Sequence, residues 1–176
     1  QAQAWLDRMV SAWNRHDAAA VAACYTPEAV IITAGEAEPL EGLDVLIETL
    51  EMLFEGFPDI QHDVRSTVFG DNCVAMEWSL RGTHTGLLPS PTGFLAATGR
   101  AIEIPGVSFI WLDEQERAVR EHSYTDPTTM ARQLGLYHQH DDHDDHDDDD
   151  DHEGHGHGAR PALDMDPDGG PSSGYG

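Results

Sequence analysis

The chain has 176 residues and a formal net charge of −24, and all nine of its basic residues are arginine. This acidity disfavours nucleic acids and anionic membrane surfaces as partners, because both would repel the protein. No stretch approaches the roughly 18 consecutive apolar residues of a membrane span, and two isolated cysteines fit a reducing compartment, so we expect a cytoplasmic protein.

Composition divides the chain near residue 138. Residues 1–137 carry twenty acidic side chains against eight arginines, whereas 138–176 carry thirteen acidic side chains and seven of the 11 histidines against Arg160 alone. The second segment has almost no side chain that could fill a core, and its like charges favour a solvated segment. We therefore predict one folded domain, 1–137, followed by an acidic His/Asp-rich low-complexity tail, 138–176.

Three helices and a short strand are predicted in the first 57 residues. Apolar side chains three to four residues apart indicate the helices. Asp17 can cap the second helix at its start, and Pro27 ends it. The predicted elements are a helix over 3–16, a helix over 18–25, a strand over 29–33 and a helix over 42–57.

The hydrophobic period changes to two after residue 60, which predicts β-strands. Turn signals lie at 70–72 and 113–117, and a loop rich in glycine and proline occupies 85–99. The predicted strands are 60–69, 73–84, 101–112 and 118–126. Helices followed by strands that can pair as a meander predict an α+β fold, a cone-shaped curved antiparallel sheet packed against three N-terminal helices. The open end of such a cone would be lined by strand ends.

The last predicted strand carries polar side chains on both faces, so composition does not decide which face is buried. One row is Arg120, His122, Tyr124 and Asp126, and the other is Val119, Glu121, Ser123 and Thr125. If the first row faces outward, it is an ordinary solvated strand surface. If it faces inward, Asp126 lies in an apolar pocket where burial raises its pKa. A general base that later returns its proton needs such an environment, so Asp126 is the candidate base.

Further candidates come from the neighbouring elements. His84 continues the apolar face of the strand 73–84 and falls at its end, beside glycines that allow a ligand to approach the backbone. A histidine on an apolar face is also common as a satisfied core residue. His84 and Tyr124 are the candidate donors to a developing enolate oxygen and complete the catalytic set with Asp126. The predicted lining of the substrate pocket is Trp13, Tyr25, His62, Trp78 and His122.

Three segments carry a family pattern: "SAWNRHDAAAVAACYTPEAVI", "RGTHTGLLPSPTGFLAATGRAIEIPGVSFI" and "HSYTDPTTMARQLGL". Over roughly 3–137 they resemble the SnoaL-like polyketide cyclase family of the nuclear transport factor two-like superfamily. The resemblance implies an α+β cone, a homodimer or higher homo-oligomer through the exposed sheet face, an aspartate near the end of the C-terminal strand as acid/base, and no metal or organic cofactor. Asp126 matches that aspartate and His84 the histidine of "GTHTG", whereas the turn 113–117 departs from the family's shorter turn.

Two kinds of function fit these features. The first is a cofactor-independent acid/base enzyme that acts on a hydrophobic small molecule by intramolecular aldol cyclisation, isomerisation or hydrolysis. The alternative is a non-catalytic ligand-binding protein, or a structural or assembly protein whose tail binds divalent metal ions. The fold alone does not separate them, because one fold hosts many activities.

The tail interleaves histidines with carboxylates. Imidazole suits nickel, copper and zinc, and carboxylates suit calcium, so the mixture offers ligands to several divalent ions and selects weakly among them. The alternative is a solvated tail without a bound metal. The candidate metal ligands are His138, His140, His143, His146, His152, His155 and His157.

Overall fold

The computed structural model describes residues 2–126 and 128–137, and all elements named below lie within them. The helices are α1 (Ala2–Asn14), α2 (Ala18–Ala22), α3 (Leu43–Gly56) and α4 (Thr128–Gln133). The strands are β1 (Tyr25–Thr33), β2 (Leu40–Glu41), β3 (Gln61–Phe69), β4 (Cys73–Thr83), β5 (Leu88–Ser90), β6 (Gly93–Leu95), β7 (Ala101–Leu112) and β8 (Ala118–Thr125). The predicted tail, 138–176, and its seven candidate metal-binding histidines lie outside the described residues.

Six strands form one curved sheet in the order β2-β1-β8-β7-β4-β3, and β5 pairs with β6 in a separate hairpin. Strands β3, β4, β7 and β8 pair antiparallel in a meander, as predicted. The prediction of a wholly antiparallel sheet is wrong, because β1 lies parallel to β8. Parallel neighbours need a long connection, and here most of the domain lies between the two strands.

The N-terminal helices and the inner face of the sheet share one hydrophobic core, which confirms the α+β prediction. Trp5 and Met9 of α1 and Leu50 of α3 are buried in the same cluster as Ile104 and Ile110 of β7. Each large apolar side chain that is fully buried contributes about 1.5–3 kcal/mol. The packing of helices on the sheet is therefore the main stabilising interaction of the domain.

Helix α2 is shorter and strand β1 is longer than predicted. Asp17 caps α2 as predicted, because its carboxylate accepts a hydrogen bond from the Ala20 amide at 2.9 Å. The helix ends at Ala22, however, and β1 begins at Tyr25 rather than at residue 29. Pro27 lies where the pairing of β1 with β8 is irregular, so its missing amide hydrogen removes no ladder bond there.

Two β-bulges interrupt the alternation of side chains along the sheet. On β3 the pairing with β4 skips Arg65, and on β8 the pairing with β7 skips Val119. One extra residue moves every later side chain of a strand to the opposite face. Beyond Val119 the row of Arg120, His122 and Tyr124 therefore lies on the outer face, which excludes the inward alternative on which the role of Asp126 depended.

Among the described residues, no helix combines the length and the apolar character needed to cross a bilayer.

Candidate active site

A cavity of about 230 Å³ lies between the helices and the inner face of the sheet. Most of its wall is apolar, with contributions from all three N-terminal helices and from every long strand of the sheet. The lining includes Trp13, Tyr25, His62, Trp78, Ser108, Glu121 and Ser123. Pockets for drug-sized ligands measure about 300–1,000 Å³, so this cavity suits a more compact molecule.

Strand β8 turns Glu121 and Ser123 into the cavity. Their partners across the ladder are Ile110 and Ser108, which belong to the buried face of β7. The bulge at Val119 sets this orientation, because one extra residue exchanges the two rows of a strand. The cavity thus contains a carboxylate that is only 9% exposed.

A directed chain of hydrogen bonds ends on this carboxylate. Trp78 Nε1 donates to Ser108 Oγ at 2.9 Å, Ser108 Oγ lies 2.7 Å from Ser123 Oγ, and Ser123 Oγ donates to Glu121 Oε1 at 2.7 Å. The Tyr25 hydroxyl donates to the other carboxylate oxygen, Oε2, at 2.6 Å. Every donor in this series of hydrogen bonds can point toward Glu121, so each bond strengthens the next. Together the bonds offset the free-energy cost of burying the charged carboxylate.

Tyr25 is held as a proton donor. Burial, together with the adjacent negative charge of Glu121, raises the pKa of its hydroxyl well above the usual range of tyrosine. The phenol therefore stays protonated at any physiological pH. Its hydrogen can serve Glu121 or an oxygen atom of a ligand.

His62 forms another polar part of the lining. Its ring is stacked on Trp78 with centroids 5.6 Å apart and lies 5.4 Å from the ring of Trp13. The side chain of Asn14 fixes the local backbone by bonding both the amide and the carbonyl of His62. Burial lowers the pKa of the imidazole from 6.5 to about 4, so the ring is neutral at pH 7.

The depressed pKa of His62 predicts a specific acid sensitivity of the fold. Between about pH 6.5 and 4 the unfolded chain binds a proton that the folded chain refuses, so stability falls as the pH is lowered. From pH 7 to pH 4.5 this group alone should lower the free energy of unfolding by about 2–3 kcal/mol. Urea unfolding at both pH values gives the loss in the free energy of unfolding for the wild type and for His62→Gln. Subtracting the loss in the variant from the loss in the wild type leaves the contribution of His62, because the other titrating groups are the same in both proteins. Equal losses in the two proteins would contradict the assignment.

Asp126 does not line the cavity, and the prediction that it faces inward is wrong. Its side chain is 50% exposed, and Oδ1 accepts hydrogen bonds from the hydroxyl and the amide of Thr128 at 2.7 and 2.9 Å. Arg132 donates to Oδ2 at 2.5 Å. The bonds from Thr128, supported by the charge of Arg132, lower the pKa of Asp126, which is opposite to the predicted direction. In this position Asp126 anchors the start of α4.

His84 is also absent from the cavity lining, so the structure does not bring it together with Asp126 at a cavity mouth. The residue is fully buried, packs on Phe57 with ring centroids 5.2 Å apart, and accepts the amide hydrogen of Thr98 at Nδ1. Its own amide donates to the Arg100 carbonyl. His84 therefore holds the segment before β7 against α3 in a structural role, although its Nε2 atom is buried without a hydrogen-bond partner among the described residues.

Tyr124 and His122 lie on the outer face of the sheet rather than in a pocket. Tyr124 is 52% exposed and stands edge-on to Phe109, while His122 stands edge-on to Trp111. Both follow the bulge at Val119, which is the physical reason that their predicted orientation is wrong. Four of the other predicted pocket residues do line the cavity, namely Trp13, Tyr25, His62 and Trp78.

Sequence reasoning missed Glu121, Ser123 and Ser108 as site residues. A signal for them existed in the regular alternation of β7, where every even-numbered position from 102 to 112 faces inward. Ser108 falls on that inward row, and a polar residue there indicates a buried hydrogen bond. Glu121 could be placed on the inner face only if the bulge at Val119 was known, and no residue of the turn 113–117 predicts that bulge.

The arrangement offers one base and several neutral donors. Glu121 can accept a proton, and the hydroxyls of Tyr25, Ser123 and Ser108 can donate to a developing negative charge. Within residues 2–126 and 128–137, no group of three or more His, Cys, Asp or Glu side chains is arranged to hold a metal ion.

A curved sheet whose inner face is covered by N-terminal helices, with a cavity between the two layers, places the protein among small α+β domains. The sequence profile described as "SnoaL-like domain" matches residues 6–121 of the chain. The protein belongs to the SnoaL-like domain family, as the sequence motifs predicted. Among proteins of curated function, no sequence matches the chain.

Several solved structures have a similar fold. AclR from Streptomyces galilaeus, a proposed hydroxylase, is 21% identical with a TM-score of 0.65 over 77% of this chain and 96% of its own. IdmH from Streptomyces antibioticus, a proposed polyketide cyclase, is 25% identical with a TM-score of 0.62 over 77% of this chain and 99% of its own. A proposed SnoaL-like polyketide cyclase from a Jannaschia species is 18% identical with a TM-score of 0.65, covering 77% and 92%.

Proposed function

We propose that the protein is a cofactor-independent acid/base enzyme that acts on a hydrophobic small molecule carrying a carbonyl group, with Glu121 as the base. The observation that carries the proposal is the buried carboxylate of Glu121 in an otherwise largely apolar cavity, ringed by neutral hydroxyl donors. The carboxylate lies on the lining of the space that a ligand would fill, and the hydroxyl donors beside it can stabilise a developing enolate. The proposed cyclase activity of related structures supports the same class of chemistry.

The mechanism begins with the transfer of one proton. Glu121 takes a hydrogen from the carbon next to the carbonyl group, which leaves a neutral carboxylic acid and an enolate. The total charge in the cavity does not change, so the step creates no new buried charge. The hydroxyls of Tyr25 and Ser123, which were bonded to the carboxylate, are then free to turn toward the enolate oxygen.

The protonated Glu121 completes the cycle as an acid. In an aldol cyclisation the enolate carbon attacks a second carbonyl carbon of the same molecule, and the new alkoxide takes the proton back from Glu121. In an isomerisation the proton returns to a different carbon. Both outcomes regenerate the carboxylate, so the enzyme needs no other reactant.

The proposal is tested by exchange of hydrogen for deuterium in D₂O. 2-Indanone is a suitable probe, because it is compact and its C–H bonds next to the carbonyl are acidic. We expect the protein to accelerate deuterium incorporation, followed by NMR, beyond the rate in buffer with acetate at the same carboxylate concentration. Rates equal to that control, across a panel of such ketones, would contradict the enzymatic function.

One observation favours a non-catalytic binding protein as the second candidate. Each oxygen of Glu121 already accepts a hydroxyl hydrogen without any ligand, so the buried network is satisfied on its own. A binder of this kind would take up 2-indanone and exchange none of its hydrogens. The same experiment therefore separates the two functions.

We also propose that two copies pair through the outer face of the sheet. Phe109 there packs near Trp111 and Tyr124, and the guanidinium of Arg120 lies 4.1 Å from the Trp111 ring. Near this apolar centre Arg65 is paired with Glu103 and Arg81 with Asp63. Two copies of an acidic domain can approach through such a face, because its local charge is balanced.

If two copies pair through this face, substitutions of two exposed phenylalanines should affect self-association differently. Phe109→Asp places a charge in the proposed interface. In sedimentation equilibrium at tens of micromolar protein we expect this variant to be a monomer and the wild type to be a dimer. Phe94→Asp changes a phenylalanine that is 73% exposed on the β5–β6 hairpin and should leave the dimer intact. A monomeric wild type, or equal effects of both changes, would contradict the pairing.

A further inference from the structure

Among the described lining residues, the titratable side chains are Tyr25, His62 and Glu121, and the proposed mechanism does not use His62. The residue is 6% exposed, and its Nδ1 atom is buried with no hydrogen-bond partner among the described residues. Buried polar atoms without a partner are rare in folded proteins and require an explanation. Here the explanation concerns which ring nitrogen carries the hydrogen.

The unpartnered Nδ1 indicates the tautomer of the ring. A neutral imidazole has one N–H donor and one bare acceptor nitrogen. A donor at Nδ1 would be buried without an acceptor, whereas a bare Nδ1 leaves only an acceptor unsatisfied, which is less unfavourable. The hydrogen therefore belongs on Nε2. Because Nδ1 is sealed away and the ring lies on the cavity lining, the Nε2 edge is the one available to an occupant.

The ring is also held in a fixed orientation. Trp78 stacks on one side at an interplanar angle of 30°, and Trp13 lies close at 46°. Trp78 is itself fixed by its bond to Ser108. A donor that is fixed in advance loses little entropy when it binds, so it can select the position of an acceptor atom.

The position of His62 in the sheet separates it from the base. His62 lies on β3 and Glu121 on β8, with β4 and β7 between them. Across the ladder His62 is level with Ile104 of β7, whereas Glu121 is level with Ile110, so the two residues are also separated along the strands. The donor therefore meets a part of the ligand away from the carbon that faces Glu121.

The charge of the lining limits the ligand further. Among the described lining residues Glu121 is the only carboxylate, and no arginine accompanies it. An anionic ligand would bury a second negative charge without a counter-charge, which is strongly unfavourable. The volume of about 230 Å³ favours a compact molecule.

We propose, on the basis of the function proposed above, that His62 Nε2–H binds a second oxygen acceptor of the substrate, and that the substrate is a compact, uncharged compound with two carbonyl groups. One carbonyl activates the carbon that Glu121 deprotonates. The other carbonyl accepts the hydrogen bond from His62 and fixes the position and orientation of the substrate in the cavity. His62 thereby determines specificity, while Glu121 performs the proton transfer.

Three matched probes test this assignment. Cyclohexane-1,4-dione carries a carbonyl at each end, cyclohexanone lacks the second one, and 4-oxocyclohexanecarboxylate replaces it with an anionic group. We expect the wild type to bind the dione about three- to tenfold more tightly than cyclohexanone, as one hydrogen bond provides, and to bind the carboxylate most weakly. Binding is followed by NMR titration of the folded protein.

Two variants of His62 complete the experiment. His62→Phe keeps a flat ring between the two indoles but has no donor, and it should bind the dione no better than cyclohexanone. His62→Gln retains an N–H donor and should keep most of the preference. A preference for the dione that survives in His62→Phe, or tight binding of the carboxylate, would overturn the proposal. So would ¹⁵N spectra that show the hydrogen of His62 on Nδ1.

The outcome also separates this inference from the proposed function. If the dione preference depends on His62 but no hydrogen exchange occurs, the site binds as inferred and the enzymatic function fails. If hydrogen exchange depends on Glu121, but the preference for the dione over cyclohexanone is unchanged in His62→Phe, the enzymatic function stands and the assignment of His62 fails. For an active enzyme, the loss in His62→Phe should appear in KM for the dione, with kcat little changed.

Discussion

Replacing Glu121 by glutamine is expected to lower the rate of hydrogen exchange, or of turnover of a true substrate, by about 10²–10⁴-fold. Glutamine has nearly the same size and can still accept a hydrogen bond from Tyr25 or Ser123, but it cannot take a proton from carbon. The cavity and its shape are thus retained while the base is removed. Exchange of 2-indanone in D₂O, compared at equal concentrations of folded protein, gives the ratio.

The matched control for this variant is Asp126→Asn. Asp126 is the acid that the family resemblance singles out, yet it is exposed and bonded to Thr128 and Arg132 outside the cavity. Its removal should leave the exchange rate within about twofold of the wild type and affect at most the start of α4. If Asp126→Asn abolished exchange while Glu121→Gln did not, the assignment of the base to Glu121 would be wrong.

Gly86→Ala is expected to cause a large loss of stability. A Cβ atom at Gly86 would overlap the backbone carbonyl oxygen of Glu55 at the end of α3, and a carbonyl in a helix cannot move aside as a side chain can. The amides of Thr85 and Gly86 both donate to the Gly56 carbonyl, and the overlap would break these bonds too. We expect a loss of about 3 kcal/mol in the free energy of unfolding, or about 10 °C in Tm.

Gly70→Ala provides the comparison for this variant. A Cβ at Gly70 would meet its nearest neighbours at 3.7 and 3.8 Å, which is ordinary van der Waals contact. The same chemical change there should alter the free energy of unfolding by less than about 1 kcal/mol. Thermal unfolding followed by circular dichroism measures both variants. Similar melting temperatures for the two would contradict the close approach of Gly86 to α3.

Much of the fold could be predicted from the period of the apolar side chains. The predicted strand 101–112 has the same bounds as β7, because its alternation is uninterrupted and turns flank it. The predicted helix over 42–57 differs from α3 by one residue at each end. The parallel pairing of β1 with β8 could not be predicted, because it depends on two strands that are far apart in the chain.

The site was less predictable than the fold for one local reason. A strand with polar residues on both faces has no hydrophobic pattern to fix its register, so a single bulge decides which row is buried. The aromatic lining residues Trp13 and Trp78 could be found, because each lies on a strongly apolar face. The proposed base, Glu121, could not be found, because Val119 is as compatible with a regular strand as with a bulge.

The pairing of β1 with β8 has a consequence for how the protein is made. Tyr25 and Glu121, which are hydrogen-bonded in the cavity lining, are 96 residues apart. A nascent chain can form its helices and the β3–β4 hairpin early, but it cannot close the cavity until the last strand has left the ribosome. Contacts of such long range slow folding, so the inner sheet face is exposed to solvent throughout most of synthesis. Ending the chain before Glu121 would therefore remove the carboxylate and its hydrogen bonds to Tyr25 and Ser123 together.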